Sequence, residues 1–460
     1  MDTPAPAPPE PPALRVLRIA LLGILAISAA LLLSLVLATY SAALRYGISD
    51  LLGVPFSSHH FRGVSEVTIA AILVGPVLVM ATGFLFLAWA LRQTSWRRVA
   101  LGYAVLAGIL SFLARDEPAF THPFTFLSPA EATPEARESF SLFMRYGRHE
   151  ALGRDFQEPT FTEPYPKWNA VETATWRADV LAHRADFASH ASALAPALAW
   201  WRDLDRFSQI GDLTPPDPES DIPAFQVLRA LSHQALGAAS LLAIDGRGDE
   251  AVDTVLPLLT VSLKLQPDSR TLVRTMIAIV IERLSLETTG FILDTAPVSP
   301  AARARLLAAV KGGDPVPGAR RLVGGFDYAF MQVSLGSKSA GELFTYYDSR
   351  STHPWLRAVM NAASPVLYNP KATFNAYGRL VGDQQDLAAT RDYAGMEARN
   401  AAFLATDAAP RPKNFIGRLM LRSMVPAYVN VTKNYWRTED LRAALTKRLE
   451  APAAITGSRP

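Results

Sequence analysis

Cysteine is absent from the 460 residues. That excludes disulfides, thiolate metal sites, thiol nucleophiles and a lipid-bearing cysteine together. Charge is scarce as well: 19% of residues are charged, against about 25% in globular chains, which leaves surface to face lipid. With Lys+Arg at 45 and Asp+Glu at 42 the formal charge is +3, so no strong field of one sign marks nucleic acid as the partner. Catalytic signatures are missing too. No HExxH, GxSxG, SxxK or GxGxxG occurs, and Gly336-Ser337-Lys338-Ser339 lacks the Gly-Lys-Ser/Thr core of a phosphate loop. We expect no nucleotide, no nucleic acid and no cofactor.

Long apolar runs are what the chain does have. Ile19 to Leu44 and Val67 to Leu91 are uncharged, and each exceeds the roughly 20 residues that span a bilayer core. Val99 to Ala114 is shorter, covering about 24 Å at about 1.5 Å per residue, against a core of about 30 Å. We read three spans, with two as the alternative. The first run far exceeds the roughly 7–15 apolar residues of a signal peptide and reads as an uncleaved anchor. Arg92, Arg97 and Arg98 before the third run, like Arg15 and Arg18 before the first, mark the cytoplasmic side, with Trp96 as an interfacial anchor. Three spans place everything after residue 115 outside the cytoplasm. Heavy use of alanine and only 8 Lys among 45 basic residues point to a bacterium, and with the three spans that makes the membrane an inner membrane and the domain periplasmic.

The remainder reads as all-α. Residues 1–13 form a proline-rich tail and 14–115 the membrane region. Residues 116–167 make a connector whose prolines forbid long helices, apart from a possible one near Glu135 to Leu152, and whose aromatics want burial. A helical-hairpin domain follows over 168–312, then a helical and looped region over 313–450 with a basic end, and a tail over 451–460. The spacing predicts helices over 168–207, 222–244, 250–265, 270–294, 299–310, 386–403 and 415–450, the last broken at Pro426. Asp249 is expected to cap one of them and Ser299, before Pro300, another. Leu236-Gly237, Gly246, Ala251 and Pro267 fall in the order of a tetratricopeptide hairpin, which residues 234–267 resemble. The resemblance implies an α-hairpin stack of the kind that serves as a protein-binding scaffold.

Asp179, His183, Asp186 and His190, spaced four, three and four, share one helix face. Carboxylates and imidazoles there are weak candidates for zinc or for proton transfer; as the wet side of an amphipathic helix they need no ligand, and that is the reading we favour. His59-His60, the acids Asp217, Glu219 and Asp221, and the group Asp245, Asp249 and Glu250 are likewise read as solvated loops and caps rather than copper or calcium sites. Asn430-Val431-Thr432 matches a glycosylation acceptor by chance. Residues 411–450 are basic and amphipathic, which fits a core helix with a basic exterior or, as the alternative, a helix lying on anionic headgroups. The expected function is a membrane-anchored, non-enzymatic scaffold or accessory subunit of a cell-envelope complex, partnered by the bilayer and by other proteins. The alternative is a membrane-tethered hydrolase or metal enzyme using the Asp179/His183/Asp186/His190 face.

Overall fold

The computed structural model describes residues 10–29, 32, 95–118, 133–147, 173–215, 225–267, 269–336, 342–343, 361–424 and 428–451. Among these the regular secondary structure is helix, with no strand. Two compact units emerge, each assembled from separate stretches of chain. One comprises Met1–Thr121, Leu335–Tyr377 and Asn400–Val425; the other comprises His122–Ser334, Gly378–Arg399 and Pro426–Pro460.

The larger unit is built on three helices, α6 (Phe225–Ile244), α7 (Gly248–Leu265) and α8 (Leu272–Thr295), each packed against the other two. Sequence dictates the join between α6 and α7. Gly246 takes φ +79°, a left-handed conformation that costs glycine nothing. Gly246 N donates to Ala243 O (3.0 Å) and Arg247 N to Leu242 O (2.9 Å), which closes α6 as a Schellman cap. The expected cap Asp249 lies inside the first turn of α7 instead, where its carboxylate accepts from Ser299 N at 2.8 Å. Ser299 caps α9 (Pro300–Val310) as expected, accepting from Ala302 N.

Against this trio pack α5 (Arg184–Asp205), preceded by α4 (Thr173–Ala182), and α16 (Tyr428–Glu450). Trp176, Trp200 and Trp201 are buried here, with Trp200 and Trp201 edge to face at 5.0 Å. Phe143, from α3 (Pro134–Gly147) in the proline-rich stretch, is fully buried in the same core. At Gly237 in α6 a Cβ would lie 2.2 Å from the Phe187 ring, so the close seating of α5 on α6 requires glycine there. A buried polar knot ties the loop after α5 to the start of α8. Arg274 donates to Ile210 O, Gly211 O and Leu265 O, while Asp212 accepts from Thr214 N, Thr214 Oγ1 and Arg270 N. Arg274 Nε also stands 3.8 Å from Asp212 Oδ2, so the charge of each is balanced where neither meets water.

In the other unit α1 (Pro12–Ala29) and α2 (Trp96–Ala114) are long and apolar enough to cross a membrane. α12 (Ser364–Leu367) packs on α2 and on α15 (Phe415–Met424). Asp116, just beyond α2, accepts from Lys371 N (3.0 Å) and Ala372 N (2.9 Å) in the first turn of α13 (Pro370–Ala389), joining the end of α2 to the start of α13. Asn414, at φ 57°, holds the same start by accepting from Asn369 N at 2.8 Å and donating to Thr373 Oγ1 at 2.9 Å. Two expectations are corrected. The helix over 168–207 is interrupted at His183, and the one over 386–403 is two, α13 and α14 (Tyr393–Ala405), parted by a turn at Arg391.

Candidate functional site

Exposed large hydrophobic side chains concentrate on α1 and α2. Among the described residues, eleven of the fifteen lie there, including Leu17, Ile24, Leu101, Val105 and Phe112 at 63% exposure. At about 1.5 Å per residue the 18 and 19 residues of these helices cover about 27 and 28 Å, close to a bilayer core. The third apolar run is thus longer as a helix than as an uncharged string, because Trp96, Arg97 and Arg98 form its first turn. Trp96 is 38% exposed and its Nε1 donates to Glu10 Oε1 at 3.1 Å. Arg97 and Arg98 are exposed, while Arg92 and the run Val67 to Leu91 lie outside the described residues.

The two helices run in the same direction. Glu10 pairs with Arg18 (3.0 Å) as well as with Trp96, which sets Arg18 level with the start of α2. Further along both helices, Tyr103 Oη donates to Leu21 O at 2.7 Å, and a Cβ on Gly102 would meet Leu25 at 2.4 Å. Contacts that climb both helices together require parallel chains.

The polar helix face, read as solvated, is not wet throughout, and the side chain of His190 lies outside the described residues. His183 is only 8% exposed, placed at the junction of α4 and α5 on the side that carries Trp176, Val180 and Phe187 into the core. Its Nδ1 lies 2.9 Å from Asp179 O. Asp179 and Asp186 are half-buried. The reading of His183 as part of a wet face is therefore corrected: its spacing of seven from Trp176 and four to Phe187 also sets it on their buried face. Among the described residues no group of three or more His, Cys, Asp or Glu could hold a metal. Asp245 pairs with Arg184 (2.7 Å) and Glu250 with Arg247 (2.5 Å), so with Asp249 on Ser299 each of these acids has a protein partner. His59-His60, Asp217, Glu219, Asp221 and 337–339 lie outside the described residues. Thr432, the third residue of the glycosylation match, is fully buried.

A cleft of about 180 Å³ opens in the larger unit between the end of α7, α10 (Val316–Leu322) and α16. Gln266, Glu439 and Arg442 in its lining belong to a charge cluster that sequence reading missed. Glu282, 1% exposed, accepts from Gln266 Nε2 at 2.6 Å and from Arg442 Nε at 2.9 Å. Arg442 also pairs with Glu439 at 3.1 Å. Burial opposes the Arg442 charge, but Glu282 and Glu439 outweigh it and hold the guanidinium above its ordinary range. Burial raises the Glu439 carboxyl, with Arg442 pulling the other way. Tyr435 donates to Pro315 O at 2.8 Å, and its phenol is pushed up by burial and by Glu439. The arrangement can hold a small polar group. Its volume falls short of the roughly 300–1,000 Å³ typical of substrate pockets. No local spacing announced the cluster, since Gln266, Glu282 and Glu439 come from three separate segments.

Comparison with known protein families, with curated proteins and with solved structures found no match to this chain.

Proposed function

We propose that this chain is held in a bacterial inner membrane by three spans, α1, residues 67–91 and α2, and presents a periplasmic helical scaffold or accessory subunit to a cell-envelope complex, without catalysis of its own. The observation that carries the reading is the pair of parallel helices whose apolar side chains are, among the described residues, mostly exposed. Two crossings in the same direction need a return between them, and Val67 to Leu91 supplies the apolar length. Parallel packing also brings Arg15 to the same end as Arg97 and Arg98, the bias that places short flanking segments in the cytoplasm. The scaffold role draws on the packed α6–α7 pair, with hairpin stacking as the surface it would offer a partner.

The absence of cysteine makes the topology directly testable. Single variants Thr3→Cys and Arg145→Cys are labelled in intact spheroplasts with a membrane-impermeant maleimide. The expected result is labelling at 145 and protection at 3 until the membrane is opened. Protection at both positions would remove the three-span arrangement. For the scaffold role, the protein extracted in mild detergent should migrate as an assembly with companions well above its own 50.0 kDa.

A further inference from the structure

We propose that the carboxyl end of α2 carries a docking surface for anionic phospholipid headgroups, formed by Arg115, Lys371, Arg411 and Lys413. The proposal rests on the membrane reading of α2 and adds the lipid chemistry that its outer end selects.

Phe112, in the last turn of α2, is among the most exposed apolar residues, and Lys413 Nζ lies 5.0 Å from its ring centre. An ammonium over the last lipid-facing ring stands where acyl chain gives way to headgroup. Arg115 is the first residue beyond the helix and is exposed. Lys371 is exposed and brought alongside by the Asp116 carboxylate on its backbone N–H. Arg411, also exposed, lies two residues from Lys413, and its charge adds to burial in holding the Arg418 guanidinium below its ordinary range.

The neighbouring carboxylates Asp116, Glu117 and Asp407 offset part of this charge, but among the described residues none forms an ion pair with the four cations. Asp116 is engaged by two backbone N–H groups and Glu117 by Asn375 Nδ2 (3.2 Å). Asp407 lies near Arg418, whose guanidinium is spent on the carbonyls of Thr406 and Asp407. Arg115, Lys371, Arg411 and Lys413 make no ion pair among the described residues, whereas Arg184, Arg206, Lys264, Arg305 and Arg399 all do. Four cations with no ion pair among the described residues, at the end of a largely exposed apolar helix, suit a phosphodiester, which accepts charge-assisted hydrogen bonds from each.

The test uses full-length protein in nanodiscs of phosphatidylcholine with or without phosphatidylglycerol, and counts the phosphatidylglycerol retained on release into neutral detergent. Wild type should retain it selectively and lose that selectivity at high salt. The quadruple variant Arg115→Gln/Lys371→Gln/Arg411→Gln/Lys413→Gln should bind it about tenfold more weakly while keeping the helical circular dichroism of wild type. Unchanged selectivity in a folded quadruple variant overturns the proposal and leaves the membrane reading standing. Should the quadruple variant fail to fold, Lys413→Gln and Arg411→Gln singly are each expected to weaken retention, and no change in either has the same overturning force. A wild-type protein that does not enter nanodiscs at all would defeat the membrane reading itself.

Discussion

Arg391 holds its guanidinium 4.0 Å from the centre of the Trp436 ring and reaches Asp440 at 3.2 and 3.0 Å. The same residue ends α13 with φ 60°, while Asp392 N donates to Leu387 O (2.9 Å) and Arg391 N to Ala388 O (3.3 Å). This is a Schellman cap in which arginine occupies the position glycine usually takes. The left-handed backbone costs an L residue about 1–2 kcal/mol, and the stacked cation and partly exposed ion pair return about as much. Arg391→Gly removes strain and contacts together and should stay within about 1 kcal/mol of wild type in denaturant unfolding. Arg391→Ala keeps the strain and loses the contacts, so it should cost about 1–2 kcal/mol. A glycine variant less stable than the alanine variant would refute this balance.

That cap explains why the helix over 386–403 was misread. No glycine or proline marks the turn, and the residues that hold Arg391 in it lie more than 40 positions away in α16. By contrast, the bounds of α6 to α9 were legible to within a few residues, since Gly246, the Pro267 stop and Ser299-Pro300 are local signals. The cleft was illegible for the first reason: Glu282 and Arg442 meet across 160 positions. His183 belongs to two four-three-four stripes, one with Asp179, Asp186 and His190 and one with Trp176, Val180 and Phe187, and spacing alone does not tell which meets water; the break at His183 (φ −102°, ψ 18°) is announced by no residue type.

Burial of His183 carries its own expectation. Replacing it by alanine removes a buried ring on the face of Trp176, Val180 and Phe187 and its contact with Asp179 O, which keeps the His183 N–H. His183→Ala should destabilise by about 1–3 kcal/mol. Asp179→Asn keeps that carbonyl and should change stability by no more than about 0.5 kcal/mol. Equal, small effects of both substitutions in thermal melts would return His183 to a wet surface.

His233 on α6 sets an acid sensitivity. Burial, with the Arg229 and Arg283 charges adding to it, lowers its pKa from 6.5 to about 4. Between those values the unfolded chain binds the proton and the folded chain does not, so stability falls as pH drops from 6.5 toward 4. Glu287 and Glu439, both raised by burial, act in the opposite sense and are unchanged by a substitution at 233. His233→Gln should therefore flatten the acid limb of the stability–pH curve by an amount on the order of 1–3 kcal/mol. Parallel curves for variant and wild type between pH 6.5 and 4 would contradict it.

The direction of α1 against α2 decides how many times the chain crosses the bilayer, and the cysteine-free sequence lets it be measured in native membranes. Leu25 touches the position where Gly102 would carry a side chain, so Leu25→Cys/Gly102→Cys brings two thiols within disulfide reach after small adjustment. Arg18 lies about 10 Å before Leu25 along α1, and Ile109 about 10 Å beyond Gly102 along α2. In parallel helices those offsets add, leaving positions 18 and 109 about 20 Å apart; in antiparallel helices they cancel. The pair 25/102 should therefore cross-link on mild oxidation, with a mobility shift reversed by reductant, and the pair Arg18→Cys/Ile109→Cys should not. Efficient cross-linking of 18 to 109 would make the helices antiparallel. The return crossing by residues 67–91 would then lose its reason, and Arg97 and Arg98 would fall on the opposite side of the membrane from Arg15.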